Sequence, residues 1–341
     1  MSGGGRLLAL TIGEPAGIGP DIAIDAWLAR NTAGVPPFLF VGDSGLLVRR
    51  AEAMGRDIRV AAATPGEAER IFPETIPCLQ EAPVVVGTPG SIDRNDTGKV
   101  VDCIRTAVRL VHTGEATAVV TNPIHKKALD AIGFGFPGHT EFLGQLSEEL
   151  YGRPVTPVML LAGPDLRVVP VTIHIPLAEV PRRLAADLIV ETGKTVAHDL
   201  AHRFGIARPR LAVAGLNPHA GEGGMLGSED EAVVRPAVEA LRAAGIDVTG
   251  PLAADSMFHA EVRATYDAAL CMYHDQALIP LKTLAFDEGV NVTLGLPFVR
   301  TSPDHGTALD IAGRGIADPS SLIAALGLAA SMARRRAAAA A

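Results

Sequence analysis

Short apolar runs alternate with amphipathic stretches along most of this 341-residue chain. Runs such as LLALTIG, FLFVGD and RVVPVTIH predict strands, and stretches such as PDIAIDAWLAR predict helices. Two longer helices are predicted at 97–114, with Thr97 as the N-cap and Gly114 as the stop, and at about 181–204. Strands separated by helices indicate the α/β class, with a largely parallel sheet covered by helices on its faces.

Three predicted strands each deliver a histidine at or just past their carboxyl end. RVVPVTIH ends on His174, RLAVAGLNPH on His219 and AALCMYH on His274. Ligands of open α/β sheets bind at this edge, and three neutral imidazoles there would suit a divalent transition metal with positions left for water or substrate. Asp255 and Asp275 could bind the same metal or orient the imidazoles. Each histidine taken alone could merely end a strand, but their shared placement favours a metal site.

Two stretches imitate known motifs without their structural context. HDLAH, residues 198–202, resembles a zinc-binding motif, but helical spacing puts both histidines on the polar face of the predicted helix, which predicts a solvated surface. GFGFPG, residues 133–138, matches a dinucleotide-binding glycine pattern, but it follows a helical segment and contains Pro137, so it predicts a turn. This turn leads into a helix whose first residues, His139 and Thr140, favour an anionic ligand.

Few basic or amide groups lie inside otherwise apolar segments. Lys282, Asn291 and Arg300 are such groups. Most Lys and Arg side chains are simple surface charges. In an apolar setting, these three residues predict a cleft that binds a carboxylate or a phosphate.

Composition narrows the class further. The net charge of −8 argues against a nucleic-acid partner, which needs a basic face. The three cysteines show no CxxC spacing and are too few for a disulfide framework, which favours a reducing cytoplasm. The N-terminus lacks the layout of a signal peptide, and no apolar run reaches about 18 residues, so neither secretion nor a membrane span is predicted.

Several long strings, in the same order, give the chain a family resemblance. TIGEPAGIGPDI, FPGHTEFL, TIHIPL, NPHAGEGG, YHDQALIPLK and GVNVTLGLPFVRTSPDHGTALDIAG together resemble the 4-hydroxythreonine-4-phosphate dehydrogenase family of pyridoxal phosphate biosynthesis. DHGTALDIAGRGIADP is also similar to the adenosine-binding loop of isocitrate and isopropylmalate dehydrogenases. The resemblance implies the two-domain fold of those enzymes, with mostly parallel sheets flanked by helices and the active site in the cleft between the domains. The expected cofactor-side domain is discontinuous and contains residues 1–126 and 280–335. The expected metal- and dimer-side domain contains residues 127–279, and residues 336–341 form a tail.

The same resemblance implies a role for individual residues. The implied metal ligands are His174, His219 and His274. The implied substrate-binding residues are His139, Thr140, Lys282, Asn291 and Arg300. The implied cofactor-binding residues are His305, Gly306, Ala308 and Asp310. The general base stays open between Asp275 and Lys282.

The implied reaction is an oxidation of 4-phosphooxy-L-threonine that requires NAD and one divalent ion, Zn, Co or Mg, in each active site. Its 3-oxo acid product then loses carbon dioxide to give 3-amino-2-oxopropyl phosphate. The family resemblance also implies a homodimer whose active sites are completed across the interface. Three alternatives remain: a related dehydrogenase acting on a four-carbon sugar-acid phosphate or an aromatic cis-dihydrodiol, a metal-dependent hydrolase, and a catalytically silent metal-binding protein.

Overall fold

The structure of the chain, a computed structural model, describes residues 7–81, 84–136, 138–152 and 154–340. The chain forms two compact units. The first unit contains Met1–Pro157 and Leu296–Ala341, and the second contains Val158–Gly295. Strands and helices alternate in both units, which confirms the predicted α/β class.

The first unit has a fully parallel arrangement of strands. Its strands are β1 (Leu8–Thr11), β2 (Phe38–Gly42), β3 (Val60–Ala62), β4 (Ile76–Gln80), β5 (Ala118–Thr121) and, near the C-terminus, a strand at Val299–Pro303 that is numbered β12 in chain order. They lie in the order β3-β4-β2-β1-β5-β12, and every neighbouring pair is parallel. The helices of this unit are α1 (Gly19–Leu28), α2 (Ser44–Met54), α3 (Pro65–Ile71), α4 (Arg94–His112), α5 (Lys126–Ala131), α6 (His139–Tyr151) and the C-terminal α13 (Ser320–Ala340).

The second unit combines parallel strands with one reversed strand. Its strands are β6 (Val158–Ala162), β7 (Arg167–Thr172), β8 (Arg210–Ala214), β9 (Asp247–Leu252), β10 (Ala268–Tyr273) and β11 (Val290–Leu294). They lie in the order β11-β6-β7-β10-β8-β9, with β6 antiparallel to both of its neighbours. The helices are α7 (Val180–Arg183), α8 (Ala186–His202), α9 (Arg235–Ala243), α10 (Ala254–Met257), α11 (Ala260–Arg263) and α12 (His274–Leu284).

The bounds of the two units differ from the predicted domain bounds. The segment 127–157 lies in the first unit, because α6 packs beside α4, where Arg105 Nη1 donates a hydrogen bond to Glu149 Oε2 at 3.1 Å. The segment 280–295 lies in the second unit, because β11 pairs with β6 along its whole length. Both assignments depend on long-range contacts that the pattern of apolar residues does not encode.

The two longer helices also differ in detail from their predicted bounds. The helix predicted at 97–114 begins three residues earlier, at Arg94, because the Asp93 carboxylate caps it by accepting a hydrogen bond from Asn95 N at 2.8 Å. The helix predicted at 181–204 is two helices, α7 and α8, since Leu184 between them has an extended backbone (φ −70°, ψ 120°). Leu184 turns its side chain inward and is 5% exposed, so its burial accompanies the break.

The central strands of the first unit are buried on both faces. β1, β2 and β5 are buried at every position, as expected for parallel strands between layers of helices.

In the part of the chain that the structure describes, none of the helices has both the length and the apolar character of a membrane span.

Candidate active site

The three strand-terminal histidines leave neighbouring strands at the same edge. β7, β10 and β8 are adjacent and parallel, with Tyr273 of β10 opposite Thr172 of β7. His174 follows β7 by two residues, His219 follows β8 by five, and His274 follows β10 directly as the first residue of α12. The strand order therefore places all three at the carboxyl edge where ligands of such sheets bind.

His174 and His274 face each other across a small cavity. Their ring centroids are 5.7 Å apart, and both residues line a cavity of about 220 Å³ together with Tyr273 and Asp275. Two imidazoles on one zinc ion, with Zn–N distances of about 2.0–2.1 Å, have centroids on the order of 5 Å apart. The observed spacing fits two ligands of a single divalent ion.

Asp275 orients the His274 ring. Its Oδ1 lies 2.7 Å from His274 Nδ1, which leaves His274 Nε2 for another ligand. A carboxylate on the second nitrogen of a metal-binding histidine is a common arrangement, because it fixes the tautomer and the direction of the ring. The contact with His274 is the geometry expected of an orienting carboxylate.

Gln276 ties the start of α12 to the strand that precedes His219. Its Oε1 accepts a hydrogen bond from Met272 N at 2.7 Å, and its Nε2 donates to Gly215 O at 2.8 Å. The side chain is buried, so both contacts are made away from water. Gln276 therefore holds the ends of β10 and β8 in a fixed relation.

His219 lies on an unusual left-handed turn. The backbone φ is positive at His219 (52°), Ala220 (52°) and Glu222 (43°), and also at the three glycines among residues 221–224. For a residue with a side chain this conformation costs roughly 1–2 kcal/mol. The buried carboxylate of Asp230 holds the preceding loop, because it accepts hydrogen bonds from Leu216 N at 2.7 Å and Asn217 N at 3.0 Å.

The described part of one chain does not bring the three predicted histidine ligands together. Among the residues described, no group of three His, Cys, Asp or Glu side chains is close enough to hold a metal ion together. His174 and His274 are brought together, whereas His219 and Asp255 lie on other segments of the second unit. The geometry thus fits two protein ligands from one chain.

Lys282 and Asp275 share a groove along α12. The groove, of about 470 Å³, is lined by His274, Asp275, Leu278, Ile279, Lys282 and Thr283. Lys282 lies eight residues after His274, which places both on one face of the helix. The two candidates for the general base therefore lie in the same groove as His274.

Asn291, near the start of β11, presents an acceptor that the protein does not use. Its Oδ1 is buried, and within the described part of the chain no donor lies within hydrogen-bond distance of that atom. Buried polar atoms normally have partners, so such an atom is a reasonable contact for a bound ligand.

Arg300 and His139 form a second cluster, in the first unit. Arg300 on β12 is 3% exposed, and its Nη2 donates to Thr121 Oγ1 at 2.6 Å. Burial lowers the pKa of Arg300 to about 9. His139 is the first residue of α6, and burial followed by the positive charges of Arg300 and Lys126 lowers the pKa of His139 well below its ordinary value of 6.5. A neutral imidazole therefore lies beside two cations.

The start of α6 has open hydrogen-bonding capacity. His139 Nε2 is buried, and the described residues supply no partner for it. Thr140 is the next residue, in the first turn of the helix, where backbone N–H groups favour an anion. Lys126 was missed in the sequence analysis, although it stands just past the carboxyl end of β5, the same signal that identified the histidines.

The GFGFPG stretch is a turn, as predicted. Phe134 and Phe136 pack against Phe142 of α6, with ring centroids 4.8 Å and 5.4 Å from it. Pro137 lies outside the described residues. The aromatic cluster anchors the turn beside His139, so it supports the start of α6.

The loop expected to bind a cofactor follows β12. His305 Nδ1 lies 3.0 Å from Gly306 O, while its buried Nε2 has no partner among the residues described. Gly306 is exposed with open space around its Cα, and Ala308 has a positive φ of 40°. Asp310 is exposed. A buried, unused nitrogen beside an open glycine fits a bound dinucleotide.

The first loop of the chain packs against this loop after β12. Ile18 N donates to Thr307 O at 3.0 Å, and a Cβ on Gly17 would lie only 2.7 Å from Thr307 O. Position 17 therefore requires a glycine. Glu14 of the same loop is 4% exposed, and burial raises the pKa of its carboxyl.

HDLAH lies on an exposed helix face, as predicted. His198 and His202 are exposed at the end of α8, and their rings are stacked 4.2 Å apart. Each Nδ1 already has a local partner, Asp199 Oδ1 for His198 and the His198 carbonyl oxygen for His202. Asp199 itself is buried, where it accepts a hydrogen bond from Gly295 N at 2.9 Å.

Polar groups gathered at the carboxyl ends of parallel strands define the general class of this protein, an α/β enzyme. Comparison with known proteins narrows that class. The chain belongs to the family of the pyridoxal phosphate biosynthetic protein PdxA, whose family model matches residues 35–329.

Individual relatives agree with this family. A 4-hydroxythreonine-4-phosphate dehydrogenase of Methylorubrum extorquens is 54% identical over 337 residues, which cover 98% of this chain and 97% of that protein. The crystal structure of 4-hydroxythreonine-4-phosphate dehydrogenase from Klebsiella pneumoniae has a TM-score of 0.86 and 37% identity, covering 98% of this chain and 99% of that one. A terephthalate 1,2-cis-dihydrodiol dehydrogenase from Burkholderia xenovorans has a TM-score of 0.63 and 29% identity, with coverage of 95% and 97%. The family resemblance and the class of oxidoreductase are thereby confirmed.

Proposed function

We propose that the protein oxidises 4-phosphooxy-L-threonine with NAD, with one divalent metal ion in each active site. The 3-oxo acid formed then loses carbon dioxide to give 3-amino-2-oxopropyl phosphate. The observation that carries the proposal is the placement of His174, His219 and His274 at the carboxyl ends of three adjacent parallel strands. The 54% identity to a curated 4-hydroxythreonine-4-phosphate dehydrogenase supports this substrate rather than a cis-dihydrodiol, whose dehydrogenase is 29% identical.

Residues of the first unit bind anionic groups in this proposal. The buried guanidinium of Arg300 forms charge-assisted hydrogen bonds to a phosphate or carboxylate, which offset the free energy of burying a cation. His139 is neutral, so its Nε2 either donates or accepts a hydrogen bond without adding a third charge. Thr140 adds a hydroxyl and its backbone N–H at the start of α6.

Residues of the second unit act on the reacting atoms. Asp275 or Lys282 accepts the proton of the substrate hydroxyl, while the hydrogen on the same carbon leaves as hydride. In the second step the bond between carbon and the carboxylate breaks and carbon dioxide leaves. The electron pair of that bond passes to the new carbonyl group, and the resulting enolate takes up a proton at the same carbon to give the amino ketone. Asn291 and Lys282 hold the substrate so that these bonds are aligned. When bound, the metal ion supplies Lewis acidity at the substrate oxygen and NAD supplies the hydride acceptor.

We assign the metal to His174, His274 and His219, with Asp275 orienting His274. Zn, Co and Mg are the proposed ions, and imidazole ligands suit the first two best. We assign NAD to the loop that holds His305, Gly306, Ala308 and Asp310, where an open glycine and an unused nitrogen lie together. An acidic Asp310 near the ribose would favour NAD over NADP.

We further propose that the protein is a homodimer and that the second copy completes the metal site. Large apolar side chains are exposed in the second unit near the histidines in sequence: Ile175, Leu177, Met225, Ile279 and Phe286 are 37%, 67%, 75%, 64% and 71% exposed. Exposed apolar side chains in such numbers are typical of a surface that another protein covers. The three buried, unpaired cysteines are compatible with our placement of the protein in the cytoplasm.

A panel of substrates tests the proposal. Absorbance of NADH is followed with 4-phosphooxy-L-threonine, four-carbon sugar-acid phosphates and aromatic cis-dihydrodiols, with the metal present and chelated. We expect turnover of the first, and loss of turnover on chelation that added metal restores. Faster turnover of an unphosphorylated dihydrodiol would overturn the substrate, and product formation without NAD would overturn the dehydrogenase in favour of a hydrolase.

A further inference from the structure

A buried arginine connects several loops of the first unit. Arg50 of α2 is 1% exposed. Its guanidinium donates hydrogen bonds to Gly17 O at 2.7 Å, Pro15 O at 2.8 Å and Gly87 O at 3.2 Å, and it is paired with the carboxylate of Asp21. One side chain thereby holds the first loop of the chain to the loop around residue 87.

Asp21 extends this connection to the loop proposed to bind NAD. It is fully buried at the start of α1, and its second oxygen accepts a hydrogen bond from Gly313 N at 2.6 Å. The first loop contacts the cofactor loop again through the Ile18 N to Thr307 O hydrogen bond. Arg50 and Asp21, which we call the buried pair, therefore link three loops at the carboxyl edge of the first unit.

Stability alone is a weak reason for such a pair. Removing two charges from water is expensive, and apolar residues of similar volume often stabilise a fold equally well or better. Apolar residues could not hold backbone groups in fixed positions: Arg50 binds three carbonyl oxygens and Asp21 binds one N–H group. The pair is suited to fixing the positions of loops.

We propose that Arg50 and Asp21 are positioning residues for NAD, because they hold the 305–313 loop in the conformation that receives the dinucleotide. This inference rests on the proposed function, since it takes NAD as the ligand of that loop. Neither residue belongs to the groups assigned above to NAD, and they act through the backbone of the first loop and of Gly313.

A second, more exposed arginine holds the same connection between β12 and α13 two residues beyond Gly313. Arg56 Nη2 donates to Gly315 O at 3.1 Å, and Arg56 is paired with Asp25 at 2.8 Å. Its side chain is 34% exposed, so its replacement is compatible with an intact fold. Arg56 therefore provides a milder test of the same inference.

The test compares NAD binding, by isothermal titration calorimetry, in wild type, Arg50→Lys and Arg56→Gln. Arg50→Lys keeps the charge but loses the planar fork, so we expect the dissociation constant for NAD to rise about tenfold or more. For Arg56→Gln we expect about a two- to fivefold rise, because its contact is partly solvated. In the same variants the Michaelis constant for 4-phosphooxy-L-threonine should change by less than about twofold, since no contact to that substrate is altered.

Arg203→Lys is the matched control. Arg203 pairs with Asp199 at 3.3 Å in the second unit, with side chains 8% and 2% exposed, so it too is a buried ion pair. We expect it to lower Tm without changing the dissociation constant for NAD. An equal loss of NAD binding in the control would show that both pairs act only through general stability, and would overturn the inference.

Other outcomes separate the inference from the proposed function. A folded Arg50→Lys protein that binds NAD as tightly as wild type would overturn the inference alone. If Arg50→Lys does not fold, the dissociation constant for NAD of Arg56→Gln tests the inference instead. Unchanged NAD binding in Arg56→Gln would then overturn the inference. A wild-type protein that binds no NAD would overturn the proposed function together with this inference.

Discussion

At the scale of single residues, burial sets the chemistry of His139 and Arg300. Arg300 is a cation held in a place where water cannot solvate it, and burial is the cause of its lowered pKa. The neighbouring positive charges of Arg300 and Lys126 add to burial in keeping His139 neutral. Such a cluster gains most from a bound anion, because the anion restores the electrostatic stabilisation that water would have provided.

We predict that Arg300→Ala raises the Michaelis constant for the phosphorylated substrate by about 10- to 100-fold, as expected for loss of charge-assisted hydrogen bonds in a buried site. The Michaelis constant for NAD should change little, since Arg300 is not among the residues assigned to the cofactor. Steady-state kinetics with each substrate varied in turn measures both. Equal increases in the two constants would indicate a structural role for Arg300.

We also predict an acid-dependent loss of stability that depends on His139. Its pKa in the folded protein is lower than the ordinary 6.5, so the unfolded chain binds the extra proton first. The contribution of neutral, buried His139 to the free energy of unfolding is therefore fully present above pH 6.5, and it is lost as the pH falls below 6.5. Urea denaturation at about pH 8 and about pH 5.5 should show a smaller loss of unfolding free energy in His139→Gln than in wild type. The same pH dependence in both proteins would contradict the neutral state of His139.

At the scale of elements, the segments after the strands differ in how they present their histidines. His274 begins a regular helix, whereas His219 lies on a left-handed turn that close packing reinforces. A Cβ on Gly215 would lie 2.6 Å from Ala220 Cα, so the turn approaches the end of β8 too closely for any other residue. Strained backbone of this kind is found where the surrounding structure holds a functional group in place.

We predict that His219→Ala lowers the metal content and turnover of the purified protein, because it removes one imidazole ligand from an exposed loop while leaving the core intact. His198→Ala and His202→Ala are the controls, since both histidines lie on the exposed face of α8. These variants should keep normal metal content and activity. Mass-spectrometric metal analysis measures the content directly, and metal lost from either control would move the site to α8.

At the scale of the whole molecule, the second unit exposes large apolar side chains beside the residues proposed for the active site. Leu177 follows His174 closely in the chain and lines the same cavity. Ile279 lines the groove that also contains Lys282. The proposed metal and base residues thus adjoin side chains that water solvates poorly, which is the arrangement expected if a second copy of the chain covers both.

We predict that Leu177→Asp converts a homodimer into monomers, because a charge placed in an apolar interface must be desolvated without a partner. Light scattering coupled to size-exclusion chromatography measures the mass. Val84→Asp is the control, since Val84 is 75% exposed in the first unit. A Leu177→Asp protein that stays dimeric, or a wild type that is monomeric, would contradict the proposed interface.

Local patterns were sufficient to predict much of the fold and the positions of some residues of the candidate site. The alternation of apolar and amphipathic segments predicted the α/β class, since the periodicity of a strand or a helix is carried by neighbouring residues. The ends of the strands predicted where His174 and His274 would lie, and helical spacing predicted the exposure of His198. Family motifs identified the class of enzyme, which the comparisons confirmed.

Tertiary structure decided the loop contacts, the strand order and the turn at His219, because these features depend on contacts between residues far apart in the chain. Arg50 meets the carbonyl of Gly87, 37 positions away, and Asp21 meets Gly313, 292 positions away. The order β7-β10-β8, which puts the three histidines at one edge, is a property of the assembled sheet. The left-handed turn at His219 runs against local preference and exists only because its packing offsets the strain. Sequence by itself thus determined the elements and the chemical groups, whereas packing determined which groups meet and in which protonation state.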